Sequence, residues 1–161
     1  MAIEEKALRM PKQIKPGDTL GVVAPSMPVK PEEKEKLTAY LQDAGYRVKL
    51  GKTVKELSSF HGYMAGDPKE RAEDVNQMFA DPEVDGIICA RGGYGSSQVM
   101  EYLDLDMIRK HPKTLFGYSD ITNFHSVFSR YCGFVTFHGP MMISNMIKNF
   151  GDYSKGSLKR A

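Results

Sequence analysis

The stretch Thr114-Leu115-Phe116-Gly117-Tyr118-Ser119-Asp120 joins a short apolar run to a segment with helical periodicity. The apolar run predicts a buried strand, and the segment that begins at Asp120 predicts the helix after it. A serine at such a turn can project its hydroxyl outward beside the first helical N–H groups, an arrangement typical of nucleophilic serines. Ser119 is therefore a candidate nucleophile, while the alternative that Ser119 or Asp120 merely caps the helix stays open.

Short apolar runs and helical segments alternate along most of the chain. Predicted strands cover residues 19–24, 46–50, 84–90, 114–118 and 134–137. Predicted helices cover residues 31–44, 67–80, 96–102, 105–110, 120–131 and 140–147, and Asp67 with Glu70 predicts a capping box. Near-continuous apolar strands that alternate with helices predict an α/β fold, a flavodoxin-like doubly wound parallel sheet of about five strands.

The ligand site of a doubly wound sheet lies at the carboxyl ends of its strands. Four features follow predicted strands and fall at this edge: Pro25-Ser26, Arg91-Gly92-Gly93-Tyr94-Gly95, Ser119 and His138. The glycine turn at residues 91–95 could supply a second backbone N–H to an oxyanion that also faces the start of the helix at Asp120. The turn could instead bind a phosphate at the next helix, although it fits neither G-x-G-x-x-G nor the P-loop pattern.

A serine nucleophile needs a base. Among the four histidines, only His138 has a predicted place at the same edge as Ser119. His138, Gly92 and Tyr94 are candidates for lining the pocket, and the alternative for His138 is a strand-end residue that holds a turn by hydrogen bonds. His125 lies two turns into the helix behind the serine and is interpreted as a partly buried structural residue.

Composition and charge are ordinary for a soluble globular protein, with 161 residues, 41% apolar, 26% charged and a net charge of +2. The 22 basic residues are dispersed, so no nucleic acid partner is expected. No stretch approaches transmembrane length, and no membrane association is expected. Cys89 and Cys132 indicate neither a disulfide framework nor a metal site, so we expect a reducing cytoplasm and no metal.

The domain organisation is predicted from composition. Residues 140–147 are rich in methionine and isoleucine, whereas residues 151–157 are polar and contain two glycines. An apolar segment followed by linker-like residues indicates a boundary between domains. We therefore expect an N-terminal extension at residues 1–13, a nucleophile-bearing domain at residues 14–148 and the start of an interdomain linker at residues 149–161.

Five motifs in register resemble those of a known family. They are Lys15-Pro16-Gly17-Asp18-Thr19 leading into Val22-Val23-Ala24-Pro25-Ser26, Ala65-Gly66-Asp67 with Arg71, Asp74 and Asp81-Pro82, Ala90-Arg91-Gly92-Gly93-Tyr94-Gly95-Ser96, Gly117-Tyr118-Ser119-Asp120-Ile121-Thr122, and Thr136-Phe137-His138-Gly139-Pro140. In this order they resemble the LD-carboxypeptidase family of serine peptidases, family S66, which includes the microcin C immunity peptidases. The resemblance runs from about Ile14 to about Met142.

The resemblance implies a cytoplasmic serine peptidase without a cofactor, commonly a homodimer, with an N-terminal flavodoxin-like domain and a C-terminal domain. The carboxypeptidase members cut the bond between the L-centre of a diamino acid and a terminal D-alanine in murein tetrapeptides. The serine of the family's Ser-Glu-His triad falls on Ser119, and the oxyanion donors fall on the backbone N–H groups of Asp120 and Gly93.

The resemblance also implies that the glutamate and histidine of the triad belong to the C-terminal domain. This chain would then carry the nucleophile and the oxyanion hole without the base, and it would be nearly inactive alone. Three alternatives remain: a microcin C-type self-immunity peptidase, a non-catalytic module that binds phosphate or nucleotide, and a scaffold or dimerisation domain.

Overall fold

Five parallel strands form the centre of the computed structural model, which describes residues 7–160. The strands are β1 (Thr19–Val23), β2 (Arg47–Leu50), β3 (Gly86–Cys89), β4 (Thr114–Gly117) and β5 (Phe137–His138). They are arranged in the order β2-β1-β3-β4-β5, and each neighbouring pair is parallel. The predicted α/β fold and its flavodoxin-like strand order are therefore confirmed.

Helices connect and follow the strands. Within the described residues they are α1 (Pro31–Asp43), α2 (Lys52–Lys55), α3 (Pro68–Ala80), α4 (Ser96–Val99), α5 (Leu105–Lys110), α6 (Thr122–Val127) and α7 (Asp152–Arg160). Short 3₁₀ turns lie at Met100–Tyr102 and Ser119–Ile121, and π-helical turns lie at Phe128–Cys132 and Met142–Met146.

Two hydrophobic clusters cover the two faces of the sheet. Successive strand residues point to opposite faces, and the clusters divide them accordingly. Val23 and Ile87 pack in one cluster, whereas Val22 and Ile88 pack in the other. Both faces are therefore covered, which is why the central strands β1 and β3 are buried along their whole length, whereas the edge strand β2 alternates charged and apolar residues.

The start of α3 follows the predicted capping box. The Asp67 carboxylate accepts from the backbone N–H groups of Lys69 and Glu70, and the Glu70 side chain accepts from the N–H of Asp67 at 3.1 Å. Pro68 occupies the first helical position, where its missing N–H costs nothing. The helix ends where Asp81 becomes extended before Pro82.

Four local predictions differ from the structure. Strand β5 is shorter than predicted, because Phe134 pairs with Arg9 in an isolated bridge instead. Helix α2 was not predicted. The helical spacing at residues 120–131 predicts that Tyr131 shares a face with Ile121, Phe124 and Phe128, but unlike these three buried residues it is 59% exposed. Residues 140–147 form a single π-helical turn at Met142–Met146 rather than an α-helix.

The two chain ends carry further predictions. In the predicted extension, residues 1–6 lie outside the described residues, and Arg9 donates its N–H to the Gly133 carbonyl at 3.0 Å. In the predicted linker at 149–161, most residues form α7, whose first turn contains Asp152, a charge favoured at a helix N-terminus. Ala161 also lies outside the described residues. The boundaries at 14 and 148 stay predictions.

Candidate active site

Ser119 occupies an unusual backbone conformation directly after β4. Its φ is +60°, in the left-handed region that few residues other than glycine adopt. The side chain is exposed, and its hydroxyl makes no hydrogen bond to any residue that the structure describes. Ser119 therefore does not cap the helix with its hydroxyl, and the oxygen faces solvent.

The sharp turn after β4 depends on Gly117. A Cβ at this position would lie 2.6 Å from Cγ2 of Ile121, whose side chain is fully buried. Glycine therefore lets the following helix fold back directly onto the end of its own strand. This close return holds Ser119 at the carboxyl edge of the sheet.

The glycine turn after β3 lies beside Ser119, because β3 and β4 are neighbours in the sheet. A Cβ on Gly92 would lie 3.4 Å from Cβ of Ser119. Gly93 has φ of +126°, and a Cβ there would overlap the Met27 side chain, 2.5 Å from its Sδ. Tyr94, at the tip of the turn, is 58% exposed.

Two backbone N–H groups near Ser119 are available to a ligand. Among the described residues, neither the N–H of Asp120 nor that of Gly93 has a hydrogen-bond acceptor. They belong to the adjacent turns after β4 and β3. Available N–H groups from two neighbouring turns beside an exposed hydroxyl are what an oxyanion hole requires.

The Asp120 side chain is turned inward, away from solvent. Its Oδ2 accepts hydrogen bonds from Oγ of Ser26 at 2.6 Å and from the N–H of Ser96 at 2.9 Å, while Oγ of Ser96 donates to the Asp120 carbonyl at 2.6 Å. The carboxylate thus joins the turns that follow β1, β3 and β4. It also satisfies the N–H at the start of α4, which weighs against a phosphate at that position.

His138 lies at the predicted edge, opposite Gly117 in the register of β4 and β5. Its exposed ring stands 6.0 Å from the ring of Tyr118 and 5.9 Å from that of His125, measured between centroids. Among the described residues it makes no hydrogen bond to Ser119. Its role as a base, and its place in a pocket around Ser119, stay predictions.

His125 is part-buried and structural, as the sequence indicates. Its Nε2 lies 2.9 Å from the Gly117 carbonyl and its Nδ1 lies 2.8 Å from Oγ1 of Thr136. A carbonyl only accepts, so Nε2 carries the proton, and Nδ1 of the neutral ring accepts from the threonine hydroxyl. Burial lowers the pKa of His125; the Gly117 carbonyl opposes this and the nearby His138 adds to it.

A groove of about 510 Å³ lies between the ends of β4 and β5 and helix α7. Tyr118 and His138 contribute to its wall on the sheet side, and Asn145, Asn149 and Tyr153 contribute on the other side. Ser119 does not line it. The groove therefore starts one residue away from the candidate nucleophile.

Three residues make contacts at the site that were not predicted from the sequence: Ser26, Ser96 and Arg71. Ser26 and Arg71 each have 0% of their surface exposed. One signal could have indicated Arg71: it directly precedes Ala72, on the apolar face of α3, where a charged side chain needs buried partners. Ser26 was expected at this edge, but no signal indicated that Ser26 and Ser96 would bond Asp120, because that partner is distant in sequence.

Within residues 7–160, no group of three or more His, Cys, Asp or Glu side chains could hold a metal ion. No helix in the same part of the chain is long and apolar enough to span a membrane.

Fold and site together define a doubly wound α/β protein. An exposed serine with a left-handed backbone conformation lies at the carboxyl edge of its sheet. The model of the family described as "LD-carboxypeptidase N-terminal domain", Peptidase S66, matches residues 20–139. The chain belongs to this family, as its motifs predicted.

Several known proteins are similar to this chain. A probable murein peptide carboxypeptidase of Bacillus subtilis is 43% identical over 93% of the chain and 46% of its own length. The microcin C7 self-immunity protein of Escherichia coli is 31% identical over 85% of the chain and 39% of its own length. A solved structure of a microcin C7 self-immunity protein superposes with a TM-score of 0.84 at 28% identity, over 95% of this chain and 46% of the other. The chain thus spans about half the length of these relatives.

Proposed function

We propose that this chain is the nucleophile-bearing N-terminal domain of a serine-type L,D-carboxypeptidase. The proposed substrate is a murein tetrapeptide, and the bond hydrolysed is the one to its terminal D-alanine. One observation carries the proposal: the exposed Ser119 hydroxyl stands in a left-handed turn beside two available N–H groups. Relatives named as murein carboxypeptidases support the choice of substrate.

The proposed reaction is acyl transfer through Ser119. Its Oγ attacks the carbonyl carbon of the peptide bond and gives its proton to a base. The resulting oxyanion accepts hydrogen bonds from the N–H groups of Asp120 and Gly93, each worth on the order of 3 kcal/mol in the transition state. Collapse releases D-alanine, whose amine takes the proton, and water then hydrolyses the acyl-serine ester.

The base in this proposal comes from outside the chain. The family resemblance assigns the glutamate and histidine of the triad to a C-terminal domain, so we propose that the two domains meet at the carboxyl edge of the sheet. Homodimer formation and a cytoplasmic location belong to the same proposal. Two free, buried cysteines, Cys89 and Cys132, are compatible with a reducing compartment.

The test replaces Ser119 by alanine in the two-domain protein and measures release of D-alanine from a murein tetrapeptide. We expect kcat to fall by about 10⁴-fold or more, because the residues of a triad act as a unit. Ser126→Ala is the matched control, since it removes an exposed hydroxyl from α6 behind the site. Activity that survives Ser119→Ala with an unchanged fold would contradict the proposal.

A self-immunity peptidase that acts on microcin-type peptidyl nucleotides is the second candidate. The superposition on a microcin C7 self-immunity protein favours it. Offering both substrates to the same preparation separates the candidates. A kcat/KM at least about tenfold higher for the peptidyl nucleotide would favour the second candidate.

A further inference from the structure

Arg71 is a fully buried arginine on α3, and it holds three loops at once. Its Nε donates to the Gly66 carbonyl at 3.0 Å, and its Nη1 donates to the carbonyls of Pro25 at 2.6 Å and Gly95 at 2.8 Å. Its Nη2 donates to Oε1 of Gln98 at 2.9 Å. A planar guanidinium can serve several acceptors in this way, whereas the ammonium of lysine is a single point charge.

Asp120 also bonds two of these three loops, the one after β1 and the one after β3. Arg71 bonds the carbonyls of Pro25 and Gly95, and Asp120 bonds the next residue in each case, Ser26 and Ser96. The dipeptides Pro25-Ser26 and Gly95-Ser96 are therefore each bonded by the Arg71 guanidinium at the first residue and by the Asp120 carboxylate at the second. The arrangement connects Arg71 to the turn of Ser119 through these two dipeptides and Asp120.

Arg71 retains its charge in this setting. Burial lowers the pKa of its guanidinium, and the carboxylates of Asp120 and Asp67 oppose that shift. An arginine stays protonated under such conditions. Losing the side chain would leave the Gly66, Pro25 and Gly95 carbonyls without this donor and Asp120 without its nearby positive charge.

We infer that Arg71 is a positioning residue: it fixes the glycine turn directly, and it fixes the turn of Ser119 through the Pro25-Ser26 and Gly95-Ser96 dipeptides that bond Asp120. The N–H groups of Gly93 and Asp120 thereby stay beside the hydroxyl. The catalytic consequence rests on the proposed function. A displacement of about 1 Å in a reacting geometry costs on the order of 100-fold in rate. Arg71 would therefore control kcat without touching the substrate.

The test compares Arg71→Lys with Asp74→Asn in the two-domain protein. Asp74 is a matched control on the same helix: it is buried, and it accepts from Lys52 and Thr53 at the start of α2, away from the two turns. For Arg71→Lys we expect kcat to fall about 100-fold with KM changed less than about threefold. For Asp74→Asn we expect a lower Tm with kcat retained.

Amide hydrogen exchange gives a second readout that does not depend on activity. In Arg71→Lys, exchange should become faster at residues 91–96 and 118–121 and stay unchanged in β1 and α1. If Arg71→Lys fails to fold, Gln98→Ala replaces it, because it removes one acceptor and keeps the guanidinium. This milder variant should lower kcat by about three- to tenfold and loosen residues 91–96.

The two readouts separate the inference from the proposed function. Retention of kcat within about threefold, or unchanged exchange at both turns, would overturn the positioning role. A wild-type protein without Ser119-dependent hydrolysis would contradict the proposed function instead. In that case the exchange data alone decide: faster exchange at both turns supports the role of Arg71, and unchanged exchange refutes it.

Discussion

At the scale of single residues, the backbone of Ser119 is the clearest departure from ordinary geometry. A non-glycine residue with φ near +60° costs about 1 kcal/mol or more relative to a relaxed conformation. The fold maintains this strain because Gly117 returns the helix onto its strand and the Asp120 carboxylate anchors the turn. Strain of this kind is commonly found at functional sites.

The strain predicts different stabilities for two variants without the hydroxyl. Ser119→Gly should exceed Ser119→Ala in free energy of unfolding by about 1 kcal/mol, because glycine adopts positive φ without the Cβ penalty. Both should be equally inactive. Chemical denaturation measures the difference, and equal stabilities would show that the turn is relaxed in solution.

Gly92 provides a second prediction at this scale. Its Cβ would enter the space beside Ser119, 3.4 Å from Cβ of that residue, while its φ lies outside the left-handed region. Gly92→Ala should therefore lower kcat/KM by about 10- to 100-fold, because the methyl group occupies space beside the hydroxyl that the reacting carbonyl needs, with little change in Tm. Gly151→Ala, in open space, is the control. A large loss of Tm would mean that packing, not the site, requires this glycine.

Residue identity at the site was only partly predictable. Ser119 and the glycine turn were visible because each directly follows an apolar run, and the topology brings such positions to one edge. The inward orientation of the Asp120 carboxylate and the hydrogen bonds of Arg71 to the loops were not predictable. Both depend on contacts between residues 24 to 94 positions apart. The residues next to Asp120 and Arg71 in the sequence do not indicate such distant partners.

At the scale of elements, His125 connects α6 to the two strands beside it. The ring bonds the Gly117 carbonyl at the end of β4 and the Thr136 hydroxyl just before β5. The neutral ring makes both bonds by donating from Nε2 to the carbonyl and accepting at Nδ1 from the threonine hydroxyl. Burial lowers the pKa of His125, which favours this neutral form.

A pH dependence of stability follows from His125. Its folded-state pKa lies below the ordinary value of 6.5, so the unfolded chain takes up the proton first as the pH falls. The contribution to stability is complete above pH 6.5, declines as the pH drops through that value, and levels off below the folded-state pKa. Unfolding measured from pH 8 to pH 5 should show this decline.

Two variants check the assignment. His125→Gln should flatten the decline between pH 7 and pH 5, whereas His111→Gln, at an exposed histidine, should leave it as in the parent. A decline that persists in His125→Gln would assign the effect to another group.

Element prediction succeeded where apolar runs were long and well bounded, as for β1, α1 and α3. It missed α2, a four-residue helix whose start depends on Asp74 accepting from Lys52 and Thr53. It also predicted β5 as too long, because Phe134 pairs with Arg9 in an isolated bridge and the strand begins only at Phe137. In both failures, contacts between residues distant in sequence determine the element.

At the scale of the whole molecule, the chain contributes one side of the proposed site. It belongs to a family of which it matches the N-terminal domain, and it spans about half the length of its relatives. The sheet supplies the hydroxyl and the N–H groups from its carboxyl edge. A base held by a second domain at that edge would complete the site.

The isolated 161-residue chain should therefore release D-alanine at least about 10⁴-fold more slowly than the two-domain protein, because an oxyanion hole without a base retains little catalysis. Circular dichroism should show that it still folds. Release at the rate of the two-domain protein would demonstrate a base within the chain, and His138→Ala would then test the nearest candidate.

The wide separation of the turns in sequence has a consequence for biosynthesis. Ser26 and its partner Asp120 are 94 positions apart, and β4 lies beside β3 in the sheet. In a nascent chain that is still leaving the ribosome, the turn of Ser119 therefore cannot take its final geometry until residues beyond the fourth strand have emerged.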